Sequence, residues 1–281
     1  MCLGGGMDVS GLAPIEQTAL LTEYCRALDS RSDRPILGDT HADATVRQID
    51  HDFAALGARP SVVALVALRA KMLDERIRAH VAANSAAVVV DIGAGLSSAV
   101  WRVDPPETVD WFSVDLPAVI SVRESLVPAH PRARSVAASV LEPDWEAGIP
   151  ADRPAMVVAD GLFAFLDEDA VVGILRRITG HFASGIIAFN DYGTVSKANQ
   201  ILGRLATSST SNSPHRQWNF PGFKDARTPE SWNANLRLVE EASAMHRPET
   251  ALFPAGLRVA SRFSRRIPSI ARKARILQYR F

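Results

Sequence analysis

The sequence predicts an α/β fold in which a mostly parallel β-sheet is covered by helices. Short apolar runs rich in β-branched residues alternate with stretches of helical periodicity, which is typical of βαβ units with right-handed crossovers. One of these runs, residues 87–92, leads directly into Gly93-Ala94-Gly95, as a buried strand entering a tight turn does. The apolar segments 236–239 and 276–281 are expected to close the sheet as an antiparallel pair.

Apolar spacing also predicts the individual elements. An N-terminal helix is expected over residues 14–28, and a long amphipathic helix over residues 61–83 with Ser61 as its N-cap after Pro60. The β-branched pattern of the first strand recurs along the chain. It predicts further strands over residues 110–114, 134–137, 155–159 and 185–190, with helices over residues 117–126 and 168–179.

Length and composition set limits on fold and function. A chain of 281 residues with 47% hydrophobic residues can bury the core of one domain. Its 31 basic and 31 acidic residues balance, so no net charge attracts it to nucleic acid or to a membrane. Cys2 and Cys25 lack the spacing of a metal cluster or redox pair, and no signal peptide or membrane span is visible. We expect a soluble cytoplasmic protein without a bound metal ion.

The strongest local signal for function is the turn at Gly93 and Gly95. Glycine at both positions allows a tight turn and a close approach of the backbone to a ligand, although an ordinary βα turn would look the same. A dinucleotide site needs a third glycine at position 98, which is Ser98 in this chain. Asp91, at the end of the strand, favours a cofactor with an amino group, since a carboxylate would repel pyrophosphate. S-adenosylmethionine has that amine and no phosphate.

A second carboxylate is expected at the tip of the next strand. Asp115 follows the run Trp111-Phe112-Ser113-Val114, 24 positions after Asp91. A carboxylate at this place can accept hydrogen bonds from both ribose hydroxyls of a nucleoside. Asp115 is equally suited to be the N-cap of the helix that begins near Pro117, and the two roles are compatible.

Motifs along most of the chain resemble those of one enzyme family. These motifs are Glu16-Gln17-Thr18-Ala19-Leu20-Leu21, Arg69-Ala70-Lys71-Met72-Leu73-Asp74, the glycine turn, Val114-Asp115-Leu116-Pro117, Ala138-Ser139-Val140-Leu141 with Trp145, Ala159-Asp160-Gly161-Leu162-Phe163, and Ile276-Leu277-Gln278-Tyr279-Arg280-Phe281. On them the sequence is similar to the leucine carboxyl methyltransferase family, in its bacterial branch of tetracenomycin-type polyketide O-methyltransferases. The resemblance implies a Rossmann-like class I methyltransferase fold. It also implies S-adenosylmethionine-dependent O-methylation of a hydroxyl or carboxyl group on a small polyketide-like or aromatic metabolite.

The resemblance implies roles for the matched positions. Arg69 would bind the cofactor carboxylate, the glycine turn would lie against the methionine moiety, and Asp115 would bind the ribose. Ser139 and Val140 would frame the adenine, and Asp160, where the family commonly has Glu, would lie near the cofactor amine and the transferred methyl. The complete set of expected cofactor-binding residues is Arg69, Asp91, Gly93, Gly95, Asp115, Leu116, Ser139, Val140, Asp160 and Gly161.

Arg69 needs an anionic partner because it directly follows the apolar run 62–68. One alternative is a local salt bridge with Asp74. The other is the carboxylate of the cofactor, which a planar guanidinium can bind with two parallel hydrogen bonds.

The sequence departs from the family pattern at two places. Ser97-Ser98-Ala99 replaces the usual Asp-Thr-Arg, and Asp160 is one methylene shorter than Glu, so its contact with the amine would need a bridging water. No catalytic residue is assigned, and Asp160, Asn190 and Tyr192 are the weak candidates. Asn190, Asp191 and Tyr192 follow the fifth strand at the ligand-binding edge, where a capped turn explains them equally well.

The resemblance also suggests how the chain is divided. Residues 1–60 would form a helical cap and residues 61–281 the cofactor-binding domain, with an acceptor lid over residues 193–230 that includes the polar run 208–213; the whole would function as one domain. Eight basic residues follow Glu249, the last acidic one, and are expected to form a solvated face. The partner would be a small-molecule acceptor. Rival interpretations are a protein C-terminal carboxyl methyltransferase, a nicotinamide oxidoreductase and a catalytically degenerate binding protein.

Overall fold

The computed structural model describes residues 6–193, 219–264, 267, 271–272 and 274–281. Strands β1 (Met7–Asp8) and β2 (Ile49–Asp50) form a small parallel pair near the N-terminus. The strands of the main sheet are β3 (Val88–Ile92), β4 (Asp110–Asp115), β5 (Ala133–Ala137), β6 (Ala155–Ala159), β7 (Gly185–Asp191), β8 (Arg237–Ser243) and β9 (Arg275–Arg280). The helices are α1 (Thr18–Ser30), α2 (Thr40–Val46), α3 (Pro60–Ala83), α4 (Ala99–Val103), α5 (Pro117–Leu126), α6 (Glu168–His181), α7 (Thr228–Trp232) and α8 (Ala255–Ser264).

Within these residues the main sheet has seven strands in the order β5-β4-β3-β6-β7-β9-β8. The first five strands of this order pair in parallel, whereas β9 is antiparallel to both β7 and β8. Every residue of the central strands β3 and β6 is buried, because helices cover both faces of the sheet. The predicted α/β class, the mostly parallel sheet and the closing antiparallel pair are therefore confirmed.

The topology brings the functional segments to one edge. In a parallel sheet the carboxyl ends of all strands meet at the same edge, and the strand order reverses between β3 and β6. The glycine turn follows β3, Asp115 ends β4, Asp160 follows β6 and Asn190 lies near the end of β7. Four segments far apart in sequence thus lie together at the switch point of the sheet.

A buried charge network fixes the N-terminal helices to this edge. Asp39, the N-cap of α2, lies 2.6 Å from Arg102 and accepts a hydrogen bond of 2.7 Å from the Ser98 hydroxyl at the start of α4. Arg102 also pairs with Asp74 of α3 at 2.8 Å. Arg26 of α1 lies 3.7 Å from the same Asp39. The buried Asp39 carboxylate therefore joins α1, α2 and α4, and Asp74 connects α3 to the same Arg102.

Three local predictions were wrong. Pro60 occupies the first turn of α3 and Arg59 precedes it as an N-cap without a side-chain hydrogen bond, so Ser61 is not the cap. The N-cap of α5 is Leu116, and Asp115 does not cap that helix. Arg275, which belongs to the supposedly solvated basic face, is 2% exposed. The first helix also begins at Thr18, four residues later than its pattern suggests.

Most of the predicted lid, including the run 208–213, lies outside the described residues. Among the helices that are described, none combines the length and the apolar character that crossing a bilayer requires.

The charge network predicts a large stability difference between two aspartates of the cap. Asp39→Asn removes the charge between two buried arginines, and we expect the free energy of unfolding to fall by about 3–5 kcal/mol. Asp43→Asn is the matched control, since Asp43 pairs with the largely exposed Arg31 and Arg47 and should cost less than about 1 kcal/mol. Urea denaturation measures both. Equal losses in the two variants would contradict the structural role of the network.

Candidate functional site

The carboxyl edge of the sheet contains a cavity of about 580 Å³. Its size is within the range of small-molecule and cofactor sites. Helix α1 and the segment before it cover one side, and α3 covers another. The lining includes all of the predicted cofactor-binding residues, namely Arg69, Asp91, Gly93, Gly95, Asp115, Leu116, Ser139, Val140, Asp160 and Gly161, and also the candidates Asn190 and Tyr192. The fold thus brings the residues that the sequence predicted for the site together in one cavity.

The glycine turn has the backbone conformation that its residues suggest. Gly93 has φ +68° and Gly95 has φ +53°, in the left-handed region that side chains disfavour. A Cβ atom at position 95 would lie 3.3 Å from the Cβ of Ala19 in α1, and one at position 93 would lie 3.1 Å from Leu162. The turn therefore needs glycine both for its dihedral angles and for close packing.

The Gly95 residue is bonded through both of its backbone polar groups. Its N–H donates to Asp115 Oδ2 at 2.6 Å, and its carbonyl accepts a hydrogen bond of 3.0 Å from Arg123 Nη1. The other oxygen of Asp115 accepts from the Leu116 N–H at 2.7 Å. Each carboxylate oxygen has two lone pairs, so Asp115 retains acceptor capacity toward the cavity. Arg123 was missed by sequence reasoning; its only signal is a basic residue on the otherwise apolar inner face of α5.

Asp91 is a buried carboxylate that forms no salt bridge with any residue the structure describes. It is 5% exposed, and within the described part of the chain its side chain accepts no hydrogen bond. Burial raises the pKa of Asp91 to about 7, and the positive charge of Arg123 opposes this rise. Such a group is stabilised in its charged form by a ligand that brings a cation into the cavity.

Arg69 pairs across the cavity with Asp160. Its Nε lies 2.6 Å from Asp160 Oδ1, and its Nη1 donates to the hydroxyl of Tyr192. Its Nη2 is buried without a hydrogen-bond partner among the described residues, and it lies 3.1 Å from where a Cβ of Gly161 would be. The local alternative is wrong, because Asp74 is bonded to Arg102 instead. One face of the Arg69 guanidinium is thus left with an unused donor.

The residues after β7 divide into structural and cavity-facing groups. Asp191 pairs with the buried Arg275 at 2.7 Å and accepts from the Phe223 N–H at 3.1 Å, which explains both buried charges structurally. Asn190 accepts from the Gly161 N–H, and its side chain also interacts with the Tyr192 hydroxyl. Burial raises the pKa of the Tyr192 phenol, so this hydroxyl is protonated at neutral pH. Asn190 and Tyr192 both line the cavity, whereas Asp191 is engaged with Arg275.

Beside these polar groups the cavity has an apolar wall. Val62, Leu65 and Val66 of α3 line it at helical spacing and lead along the helix to Arg69. Leu21 of α1, Phe165 and Leu166 after β6, and Ile276 of β9 are further apolar lining residues. The site thus joins a polar region at the strand ends to an apolar region beside α3.

The altered segment Ser97-Ser98-Ala99 has a structural function here. Ser98 donates to both oxygens of Asp39, at 2.7 and 2.8 Å, and is 1% exposed. It therefore connects the helix after the glycine turn to the N-terminal cap. The family's Asp and Arg are both absent from this segment. In the described chain, every buried charge around it has a partner.

Comparisons with known proteins agree with these features. A family model described as leucine carboxyl methyltransferase matches residues 19–179. The chain is 34% identical to the tetracenomycin polyketide synthesis O-methyltransferase TcmP of Streptomyces glaucescens, over 96% of this chain and 98% of that protein. It is 30% identical to the S-adenosyl-L-methionine-dependent methyltransferase dpfgK of Gibberella zeae, over 66% of this chain and 68% of that protein.

One solved structure supports the fold. It comes from Thermobifida fusca YX, was described as a candidate methyltransferase, and has a TM-score of 0.54 at 17% identity, with 91% of this chain and 93% of that chain covered. At this identity the likeness extends to the architecture alone.

The environment of Asp91 predicts a stability that depends on pH. The pKa of Asp91 in the folded protein, about 7, is above its value in the unfolded chain. The stability that the protonated Asp91 carboxyl contributes is therefore fully present below about pH 4 and is lost as the pH rises through 7. Asp91→Asn, which stays neutral, should exceed the ligand-free wild type by roughly 2–4 kcal/mol in unfolding free energy above that pH.

Urea denaturation of ligand-free protein between about pH 5 and 8 measures the difference. Asp33→Asn, at an exposed position, is the control and should follow the wild type at every pH. An Asp91→Asn variant that is less stable than the wild type at the upper end of this range would show that Asp91 has a structural partner.

Proposed function

Since the chain belongs to the leucine carboxyl methyltransferase family, we propose that it methylates an oxygen of a small polyketide-like or aromatic metabolite. Its relatives are named as an O-methyltransferase and as an S-adenosylmethionine-dependent methyltransferase, which confirms the predicted enzyme class and cofactor. The acceptor is the proposed part. The observation that carries it is the cavity at the carboxyl edge of the sheet, in which polar groups at the strand ends adjoin an apolar wall formed by α3.

The polar region fits S-adenosylmethionine group by group. The Asp91 carboxylate would receive the amine, because it is buried and has no cation in direct contact among the described residues. The free Nη2 of Arg69 would bind the carboxylate. Asp115 would accept the ribose hydroxyls, and Ser139 and Val140 would border the adenine. This assignment leaves none of these buried polar atoms without a use.

The cofactor supplies a methyl group bound to a positively charged sulfur, which any well-placed oxygen nucleophile can attack. The protein's task is to hold the acceptor oxygen in line at about 3–3.5 Å and to exclude water. Asn190 and Tyr192 line the cavity after β7 and would help to position the acceptor oxygen. A carboxylate acceptor is already deprotonated at neutral pH, and for a hydroxyl acceptor Asp160 is the carboxylate in position to take the proton.

The apolar region supports an acceptor with a flat or branched hydrocarbon body. Val62, Leu65 and Val66 offer hydrophobic contact along α3, and Leu21 does so from the cap. Residues 1–60 would thus act with residues 61–281 as one functional domain, because the cap forms a wall of the same cavity. A protein C-terminus is a poorer occupant, since its backbone amides would lose their hydrogen bonds against this apolar wall.

Calorimetry with purified protein tests the proposed function. We expect binding of S-adenosylmethionine and S-adenosylhomocysteine and no binding of NAD. Transfer of labelled methyl from S-adenosylmethionine is then assayed with aromatic polyketide acids and phenols and with a peptide ending in a leucine carboxylate. Label on the peptide alone would contradict the small-molecule acceptor, and binding without transfer to any acceptor would favour a binding protein.

Arg69→Lys is expected to weaken S-adenosylmethionine binding about tenfold or more, equivalent to ~1.4 kcal/mol. Arg69 uses Nε for Asp160 and Nη1 for Tyr192 and offers Nη2 to the carboxylate, whereas a lysine ammonium has one nitrogen and cannot serve all three partners. Arg76→Lys on the same helix is the control, because Arg76 pairs with the surface residue Glu240 and should retain wild-type affinity. Titration calorimetry measures both variants. Unchanged affinity in Arg69→Lys would refute the assignment.

A further inference from the structure

We propose that Arg123 is a positioning residue of the cofactor site. From a place outside the cavity it fixes the glycine turn and supplies the positive charge that keeps Asp91 ready to receive the cofactor amine. The inference rests on the proposed binding of the amine by Asp91. It adds a residue that no motif and no cavity lining identifies.

The first part follows from the bond to the glycine turn. Arg123 lies in α5, is 6% exposed, and donates through Nη1 to the Gly95 carbonyl at 3.0 Å. Asp115 holds the N–H of the same glycine at 2.6 Å. A glycine with φ +53° has many alternative conformations, so two opposed hydrogen bonds are needed to keep one of them. Loss of either bond loosens the surface against which the ligand lies.

The second part follows from the charges around Asp91. Arg123 of α5, Arg102 of α4 and Arg26 of α1 act on it with positive charge, and Asp160 after β6 acts with negative charge. Among the positive groups Arg123 has the largest influence. Charged groups from four separate segments of the fold thus act on Asp91. Of these charges, Arg123 has the largest effect on the pKa of Asp91.

Arg123 also differs from the other two arginines in how its charge is used. Arg102 is paired with Asp74 at 2.8 Å, and Arg26 is bonded to Glu23. In the described residues Arg123 forms no salt bridge of its own, although it is almost fully buried. A buried guanidinium is costly unless an anion lies nearby. Burial lowers the pKa of Arg123, and the negative charges of Asp91, Glu23 and Asp115 oppose this effect, with Asp91 as the strongest of them.

The pH dependence of ligand binding separates this role from a purely structural one. Arg123→Gln keeps a donor for the Gly95 carbonyl but has no charge, so a larger share of Asp91 is protonated at neutral pH. Titration with S-adenosylhomocysteine should then give a Kd several-fold above wild type at about pH 6.5. The ratio of the two Kd values should approach one at about pH 8.5, where Asp91 loses its proton without help.

Arg123→Lys retains the charge and is the conservative variant. It should follow the pH profile of the wild type, with at most a constant loss of affinity from the altered bond to Gly95. Arg76→Gln is the matched control, since Arg76 is also nearly buried and donates through Nη1 to a main-chain carbonyl, that of Met72, at 2.7 Å. Its Kd should equal that of the wild type at both pH values. Circular dichroism establishes that each variant is folded.

Two results would overturn the inference while leaving the proposed function intact. One is wild-type affinity in Arg123→Gln at every pH, and the other is a loss of affinity that is the same at about pH 6.5 and about pH 8.5. A wild-type protein that does not bind S-adenosylhomocysteine would instead contradict the cofactor site itself. If Arg123→Gln does not fold, Arg123→Met replaces it as the uncharged variant; a ratio of its Kd to that of the wild type that falls between about pH 6.5 and about pH 8.5 supports the inference, and a ratio that does not change with pH overturns it.

Discussion

The Gly95 residue connects the parts of this site. Its N–H is bound by Asp115 at the tip of β4, its carbonyl is bound by Arg123 of α5, and Ala19 of α1 packs against its Cα. Gly95 therefore fixes the relative positions of four elements, which are the end of β3, strand β4, helix α5 and helix α1 of the cap. Only glycine satisfies the dihedral angle and the packing together. The positions of the Asp91 and Asp115 carboxylates in the cavity depend on this arrangement.

The distribution of buried charge separates stability from binding. Asp39, Asp74 and Asp191 each have an arginine within 3 Å, and these pairs join the cap, the glycine-turn helix and the last strand to the sheet. Asp91 has no such partner within the described chain, and burial raises its pKa to about 7. Paired carboxylates thus hold the fold together, whereas Asp91 lines the cavity, where the proposed cofactor would bring a cation to it. Sites that bind charged ligands commonly carry such a local cost in stability.

The sheet was predictable because its physical signals are local. Strands covered on both faces read as continuous β-branched runs, and the predicted ranges for β3 to β7 differ from the observed ones by one residue at most. Helix starts were less predictable, because Pro60 and Pro117 at first-turn positions set the boundaries independently of the neighbouring Ser61 and Asp115. The apolar spacing before Thr18 likewise belongs to a turn that lines the cavity.

Side-chain partners were the least predictable feature, because they depend on contacts between segments distant in sequence. Arg69 meets Asp160 rather than Asp74, which Arg102 binds from α4. Arg275, in a tail that reads as a basic surface, is buried against Asp191. Arg123 gave no motif at all. The residues that the sequence did identify, Asp91 and the glycines among them, lie where chain direction alone places them, at the carboxyl ends of adjacent parallel strands.

A crystal structure of the protein with S-adenosylhomocysteine tests most directly whether the unpaired groups of this cavity form a cofactor site. The ligand amine should lie within hydrogen-bond distance of the Asp91 carboxylate, its carboxylate should contact Arg69 Nη2, and both ribose hydroxyls should be bound by Asp115. Gly95 should keep its bonds to Asp115 and Arg123. A nucleoside bound elsewhere, or one whose amine points away from Asp91, would contradict the assignment of the site.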